Sequence, residues 1–194
     1  MKIVIVGCGR VGASSAEFYD RAGHEVLILD SSTSAFDRLP TSFHGTAIRG
    51  DGTDEDVLRR AGAQGADVFL AVTEGDNRNI MACQLANEAL DIERVIAKIN
   101  DPLRSTAYAE LGIATLCRTG LMLDAINDYL GLPVSGLPGM LEPTGHHGGP
   151  EHDPIGPSSD ATPGLTAATA TIPGAGASAT PGGPATRPTA TQEV

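Results

Sequence analysis

The first thirty residues constrain this chain most. Lys2-Ile3-Val4-Ile5-Val6 reads as a buried parallel strand. Gly7-Cys8-Gly9-Arg10-Val11-Gly12 follows it, then a helical stretch, then a second apolar strand, Glu25-Val26-Leu27-Ile28-Leu29-Asp30, with an acid at its end. A Gly-x-Gly-x-x-Gly triplet alone arises by chance. Here strand, turn, helix, strand and acid stand in order, and Asp30 lies 18 positions after Gly12, against about 20 for a ribose-binding acid. The chemistry explains the spacing. Gly7 permits the tight turn, Gly9 lets backbone approach a pyrophosphate, and Gly12 lets the helix pack closely on the strand. The helix offers unpaired N–H groups and the positive end of its dipole to phosphates, and Cys8 within the loop offers its backbone N–H. Asp30 can accept from ribose hydroxyls. Ser31 and Ser32 follow it with no adjacent Arg to take a 2′-phosphate, which favours NAD or an adenine nucleotide over NADP.

Beyond residue 30, apolar runs keep alternating with helical patterns, the mark of β–α units around a parallel sheet. Strands are predicted at 2–6, 25–30, 46–50, 67–73, 94–99 and 114–117. Helices are predicted at 10–22, 33–39, 54–61, 76–89, 102–111 and 120–130. Gly23 suits the end of the first helix and Pro102 the start of the fifth. Thr53 is the expected cap of the helix at 54–61, with Asp56 three positions on. The fold class is therefore α/β, a Rossmann-type doubly wound parallel sheet in one domain. Its ligand edge is the carboxyl edge of the strands.

Composition divides the chain. All Phe and Tyr fall at or before Tyr129, while eleven of the 13 Pro fall after Gly131. Residues 1–131 can bury enough surface for one stable domain. Residues 132–194, rich in Pro, Gly, Ala and Thr, are expected to be a disordered tail. The net charge of −11 and the lack of basic runs argue against nucleic acid and anionic lipid as partners. Three cysteines with no CxxC, and an N-terminal apolar run too short for a leader or span, point to a reducing cytoplasm and no direct membrane insertion. The tail histidines His146, His147 and His152 read as solvated rather than metal-binding.

The remaining candidates sit at strand ends. Gly50-Asp51-Gly52-Thr53 follows the third strand, where Asp51 either accepts from an adenine amino group or holds the loop, and Gly52 allows the turn beside the ligand. Thr73 and Glu74 follow the fourth, near where a nucleotide crosses the sheet. Asp76 reads as a helix cap. Lys98 stands in the otherwise apolar run Val95-Ile96-Ala97-Lys98-Ile99. A charge there is costly unless paired, with a phosphate or with a carboxylate such as Asp51. No Tyr is followed four positions on by Lys: Tyr19 meets Gly23, Tyr108 meets Gly112 and Tyr129 meets Pro133. Nothing folded is expected beyond the nucleotide domain to hold a substrate, so the reading is a binding module and not an enzyme.

Five motifs in register carry a resemblance: the glycine loop, Leu29-Asp30, Gly50-Asp51-Gly52-Thr53, Ala71-Val72-Thr73 with Asn77, and Ala97-Lys98-Ile99-Asn100-Asp101-Pro102. Together, over about residues 1–131, they resemble the N-terminal domain of Trk/Ktr potassium-uptake regulators, the RCK domains. The resemblance implies a cytoplasmic regulator, peripheral to the membrane through a potassium channel or transporter subunit. It implies a homodimer or higher ring, and binding of NAD(H) or ATP/ADP in the Rossmann cleft. Carried over, the phosphate loop is Gly7 to Gly12 and the ribose acid Asp30. Thr73 and Glu74 approach the middle of the ligand. Lys98 stands where the family commonly has Arg, which keeps the charge and loses the planar fork. The helix at 120–130, with Leu121, Leu123, Ile126 and Leu130, either dimerises as in the family or packs on its own sheet. The family usually continues into a second small domain; this chain enters its Pro-rich segment instead.

Overall fold

The computed structural model describes residues 1–142. Within them, Lys2–Val6 (β1), Glu25–Asp30 (β2), Thr46–Arg49 (β3), Val68–Ala71 (β4), Val95–Ile99 (β5) and Ala114–Cys117 (β6) form a parallel sheet, and Met140–Leu141 (β7) adds an antiparallel edge. The order is β3-β2-β1-β4-β5-β6-β7. The chain direction across the sheet therefore reverses between β1 and β4, the switch point at which doubly wound sheets open a crevice. The helices are Arg10–Arg21 (α1), Glu55–Arg60 (α2), Asp76–Leu90 (α3), Pro102–Glu110 (α4) and Arg118–Tyr129 (α5), with a 3-10 helix at Thr33–Arg38.

Central strands buried on both faces need continuous apolar runs, and β1 and β2 have them. One core packs Val4, Val6, Leu29 and Phe69 with Ala97 and Ile99 beneath α2 and α3. The other packs Ile3, Ile5 and Ile28 with Ala13 and Ala16 of α1. Each fully buried Ile, Leu or Phe contributes roughly 1.5–3 kcal/mol against the entropy of ordering the chain. Small α1 residues, rather than large ones, let that helix lie close on β1.

Several local expectations change. The cap of α2 is Asp54, not Thr53: its Oδ1 accepts from Val57 N at 3.1 Å. Thr53 instead donates twice to Asp51, from N at 3.0 Å and from Oγ1 at 2.8 Å. Asp76 does not cap α3, whose cap is Gly75. Its Oδ1 accepts from Asn100 N at 3.0 Å and Nδ2 at 2.8 Å, tying the loop after β5 to the start of α3. Asp101 caps α4, with Pro102 in its first turn.

The expected boundary at 131 also moves. Residues 132–142 fold back over α5: Asp124 Oδ1 accepts from Ser135 N at 2.7 Å, Asn127 Nδ2 donates to Pro133 O at 3.1 Å, and Cys117 N donates to Gly139 O at 2.6 Å. This return lays β7 on the open edge of β6. The rest of the expected tail, with its three histidines, lies outside the described residues. The outer side of α5 is not packed on the sheet: Leu121, Leu123, Ile126 and Leu130 are all exposed, and Gly120 is its one buried residue. No helix among the described residues is long and apolar enough to cross a membrane.

Candidate functional site

At the carboxyl ends of β1 to β4 a cleft of about 240 Å³ opens, lined by Val6, Gly7, Gly9, Leu29, Asp30, Ser31, Gly50, Asp51, Gly52, Val72, Thr73, Glu74 and Arg78. Its enclosed part is smaller than the ~300–1,000 Å³ of pockets that wrap a drug-sized ligand. It suits one half of a dinucleotide or a mononucleotide, with the remainder lying along the open crevice.

The glycine loop separates into distinct duties. Gly7 turns out of β1 with φ +105°, a conformation side chains rarely adopt. A Cβ on Gly12 would stand 1.8 Å from Gly7 O, so nothing but hydrogen fits between helix and turn. Gly9 differs. Its φ of −76° suits any residue, and a Cβ there would meet no protein atom within 4 Å. That methyl would project into open space beside the cleft Gly9 lines. No side chain caps α1, so its first-turn amides remain for a ligand. Bare amides next to a vacant, cleft-facing Cα fit a diphosphate.

Asp30 already holds two backbone groups: Oδ2 accepts from Cys8 N at 2.7 Å and Oδ1 from Ser32 N at 2.9 Å. Each carboxylate oxygen keeps a further lone pair for a ribose hydroxyl. The same bonds fix the loop's position relative to β2. The Cys8 side chain faces inward, donating to Ala35 O at 3.3 Å. Burial, then the neighbouring Asp30 charge, pushes its thiol up, with Arg38 opposing. Burial pushes Cys83 up to about 12. Neither is poised as a thiolate.

Across the crevice, Thr73 is set by Asn79, a fully buried residue of α3. Asn79 Oδ1 accepts from Thr73 N at 2.8 Å and Oγ1 at 2.6 Å, while Nδ2 donates to Thr73 O at 3.1 Å and Lys98 O at 2.8 Å. One amide thus locks the end of β4 to β5. Asp51 is held below the usual carboxylate range by the Thr53 hydrogen bonds and, more weakly, by the Arg78 charge.

Of the sequence-derived candidates, Gly7, Gly9, Asp30, Asp51, Gly52, Thr73 and Glu74 line the cleft together. Cys8, Arg10, Val11 and Gly12 stand behind them in the loop and α1. Lys98 is outside the lining and 6% exposed. By strand alternation it shares the sheet face of Ile96, the α1 face, rather than that of Ala97. The Asp51 pair considered for it is not formed: among the described residues the ion pairs are Arg21–Glu17, His44–Asp20 and Arg59–Glu55. Sequence reasoning missed Arg78 and Asn79. Arg78 comes from the first turn of α3 and carries no motif. Asn79 shows only as a polar residue on the buried face of α3. It also missed Arg49, which lies beside Asp30 across the β2–β3 ladder and donates from Nε to Ser31 O at 3.2 Å.

The sequence model of the TrkA-N domain family matches residues 3–119. The chain is 42% identical over 145 residues to the Trk system potassium uptake protein TrkA of Streptomyces coelicolor, covering 75% of this chain and 65% of that one. It spans about half the length of other curated relatives it matches. Among solved structures, the Shewanella denitrificans Kef CTD in AMP-bound form aligns with TM-score 0.54 at 20% identity, over 70% of this chain and 85% of that one. The GsuK channel bound to NAD aligns with TM-score 0.54 at 15% identity, over 64% of this chain and 22% of that one. These two likenesses concern the fold.

Proposed function

We propose, from the premise that this chain belongs to the TrkA-N domain family, that it is a nucleotide-sensing regulatory subunit of a potassium channel or transporter, acting from the cytoplasm through that membrane partner. The observation that carries the reading is Gly9. The protein's own backbone and packing leave room there for a side chain, and a bound diphosphate is what would exclude one. Asp30 would take the ribose, the α1 amides the phosphates, and Thr73 and Glu74 the middle of the ligand. Lys98, buried with no carboxylate partner among the described residues, lies outside the cleft lining, so the phosphate contact considered for it is not part of this reading. NAD(H), ATP and ADP all offer this chemistry. Relatives in fold bound to AMP and to NAD support the ligand class.

The module binds rather than transforms. Signalling requires that the nucleotide bind one assembly geometry more tightly than another, since equal affinities shift nothing. The exposed apolar side of α5 supports a second copy as that assembly's partner.

The test is a thermal-shift panel of the full chain with NAD, NADH, ATP and ADP. A ligand at 100 times its Kd adds about 2.7 kcal/mol to native stability. Unmoved melting in millimolar amounts of all four would reject the nucleotide reading. Identical nucleotide affinity with and without the transporter would reject the regulatory one.

A further inference from the structure

We propose that Asn100 is a positioning residue that couples the nucleotide cleft to α5: the first turn of α3 holds it from the cleft side, and the first turn of α5 hangs on its carbonyl. The inference rests on the nucleotide reading and on α5 as the assembly surface, and it names the device that connects them.

The cleft side of the linkage is the stretch from Thr73 to Asn79. Thr73, Glu74 and Arg78 line the cleft. Asp76 and Asn79, from the same turn of α3, reach the end of β5 instead. Asn79 Nδ2 donates to Lys98 O at 2.8 Å. Asp76 Oδ1 accepts from Asn100 N at 3.0 Å and from Asn100 Nδ2 at 2.8 Å, and its Oδ2 accepts from Asp101 N at 3.3 Å. These bonds carry any displacement of the α3 turn into the loop after β5.

On the far side, Thr119 Oγ1 donates to Asn100 O at 2.7 Å. The other side-chain hydrogen bonds of α5 among the described residues go to its own return segment, Asp124 to Ser135 and Asn127 to Pro133. The helix buries only Gly120. Its tilt against the sheet therefore depends on what Asn100 does. Asn100 itself is not fully satisfied: its Oδ1 is buried with no donor among the described residues. Reversing the amide is no remedy, because that would set the oxygen against Asp76 Oδ1. A buried acceptor left open is costly, so an arrangement that satisfies it competes with this one, which is what a two-state hinge requires.

The test is the dimer dissociation constant of the full chain, measured by analytical ultracentrifugation over a dilution series, without nucleotide and with saturating NADH or ATP. Wild type, Thr119→Val and Thr119→Ser are compared, each first melted to confirm folding; Thr119 is exposed and outside the cleft lining, so both variants should still bind nucleotide, as read by thermal shift. Coupling predicts that at least one nucleotide changes the wild-type constant about five-fold or more, that Thr119→Val brings the change within about two-fold, and that Thr119→Ser, which keeps the hydroxyl, restores it. A nucleotide-induced change that survives in Thr119→Val, or one lost equally in Thr119→Ser, overturns the proposal. So does a wild type that binds nucleotide with no change in its dimer constant, or that forms no dimer in either state; the nucleotide reading survives both. A wild type that binds neither nucleotide fails that reading, and the proposal with it.

Discussion

Two alanines three positions apart separate binding from folding in the glycine loop. In Gly12→Ala the new methyl would lie 1.8 Å from Gly7 O and 3.3 Å from Val72 Cγ2. The first neighbour is backbone and cannot rotate away, so α1 must lift from β1. Overpacking of this kind costs about 1–3 kcal/mol, and a backbone collision belongs at the upper end. A loss of about 3 kcal/mol, at roughly 3–4 °C per kcal/mol for a domain near this size, lowers the melting midpoint by about 10 °C. In Gly9→Ala the methyl meets no protein atom within 4 Å and φ is −76°. Alanine is a poorer helix cap than glycine, but it lowers the entropy of the unfolded chain. The two effects nearly cancel, leaving a change within about 1 kcal/mol. Its methyl would occupy the approach of the diphosphate, so nucleotide affinity should fall at least about tenfold, or ~1.4 kcal/mol. Differential scanning fluorimetry reads the first quantity and calorimetric titration the second. Wild-type NAD or ATP affinity in Gly9→Ala would refute the reasoning. So would a Gly9→Ala midpoint as low as that of Gly12→Ala, because the vacancy at Gly9 would then not be real.

Asn79→Ala leaves Thr73 N, Thr73 O and Lys98 O without their buried partner; at ~1–3 kcal/mol per stranded group, partly relieved by water, it should lower stability by about 3 kcal/mol in urea unfolding, more than any exposed α3 substitution. Asp51 has its folded pKa depressed, first by its Thr53 hydrogen bonds. Its contribution is complete above the unfolded value of about 3.9 and is lost as pH falls through the folded one. Asp51→Asn should therefore lower stability slightly at pH 7 and flatten the acid limb below about pH 4, as read by melting across pH. Ile126→Glu, on the exposed side of α5, should leave the melting midpoint within about 0.5 kcal/mol of wild type while shifting the mass measured by light scattering toward the monomer; an unchanged mass would remove α5 from the assembly surface.

The elements that sequence made legible are those set by local rules. The strand at 2–6, the turn at Gly7 and the acid at Asp30 each announce themselves through hydrophobic run, missing side chain or spacing, and they fall together in the cleft. The elements that escaped depend on what the fold brings near. Asp76 looks like a cap in sequence, since an acid beginning a helix commonly is one; Asn100, 24 residues on, captures it instead. Met140 and Leu141 look like part of a polar, Pro-rich segment. A two-residue strand has no periodicity to detect, and β7 exists because β6 presents an unpaired edge. Lys98 shows the limit most clearly. Sequence marks a charge in a buried strand and demands a partner, but the partner's identity depends on which sheet face the residue takes. Alternation against Ala97 puts it on the α1 face, away from the Asp51 side of the cleft. Arg78, which no motif announces, lines the cleft instead.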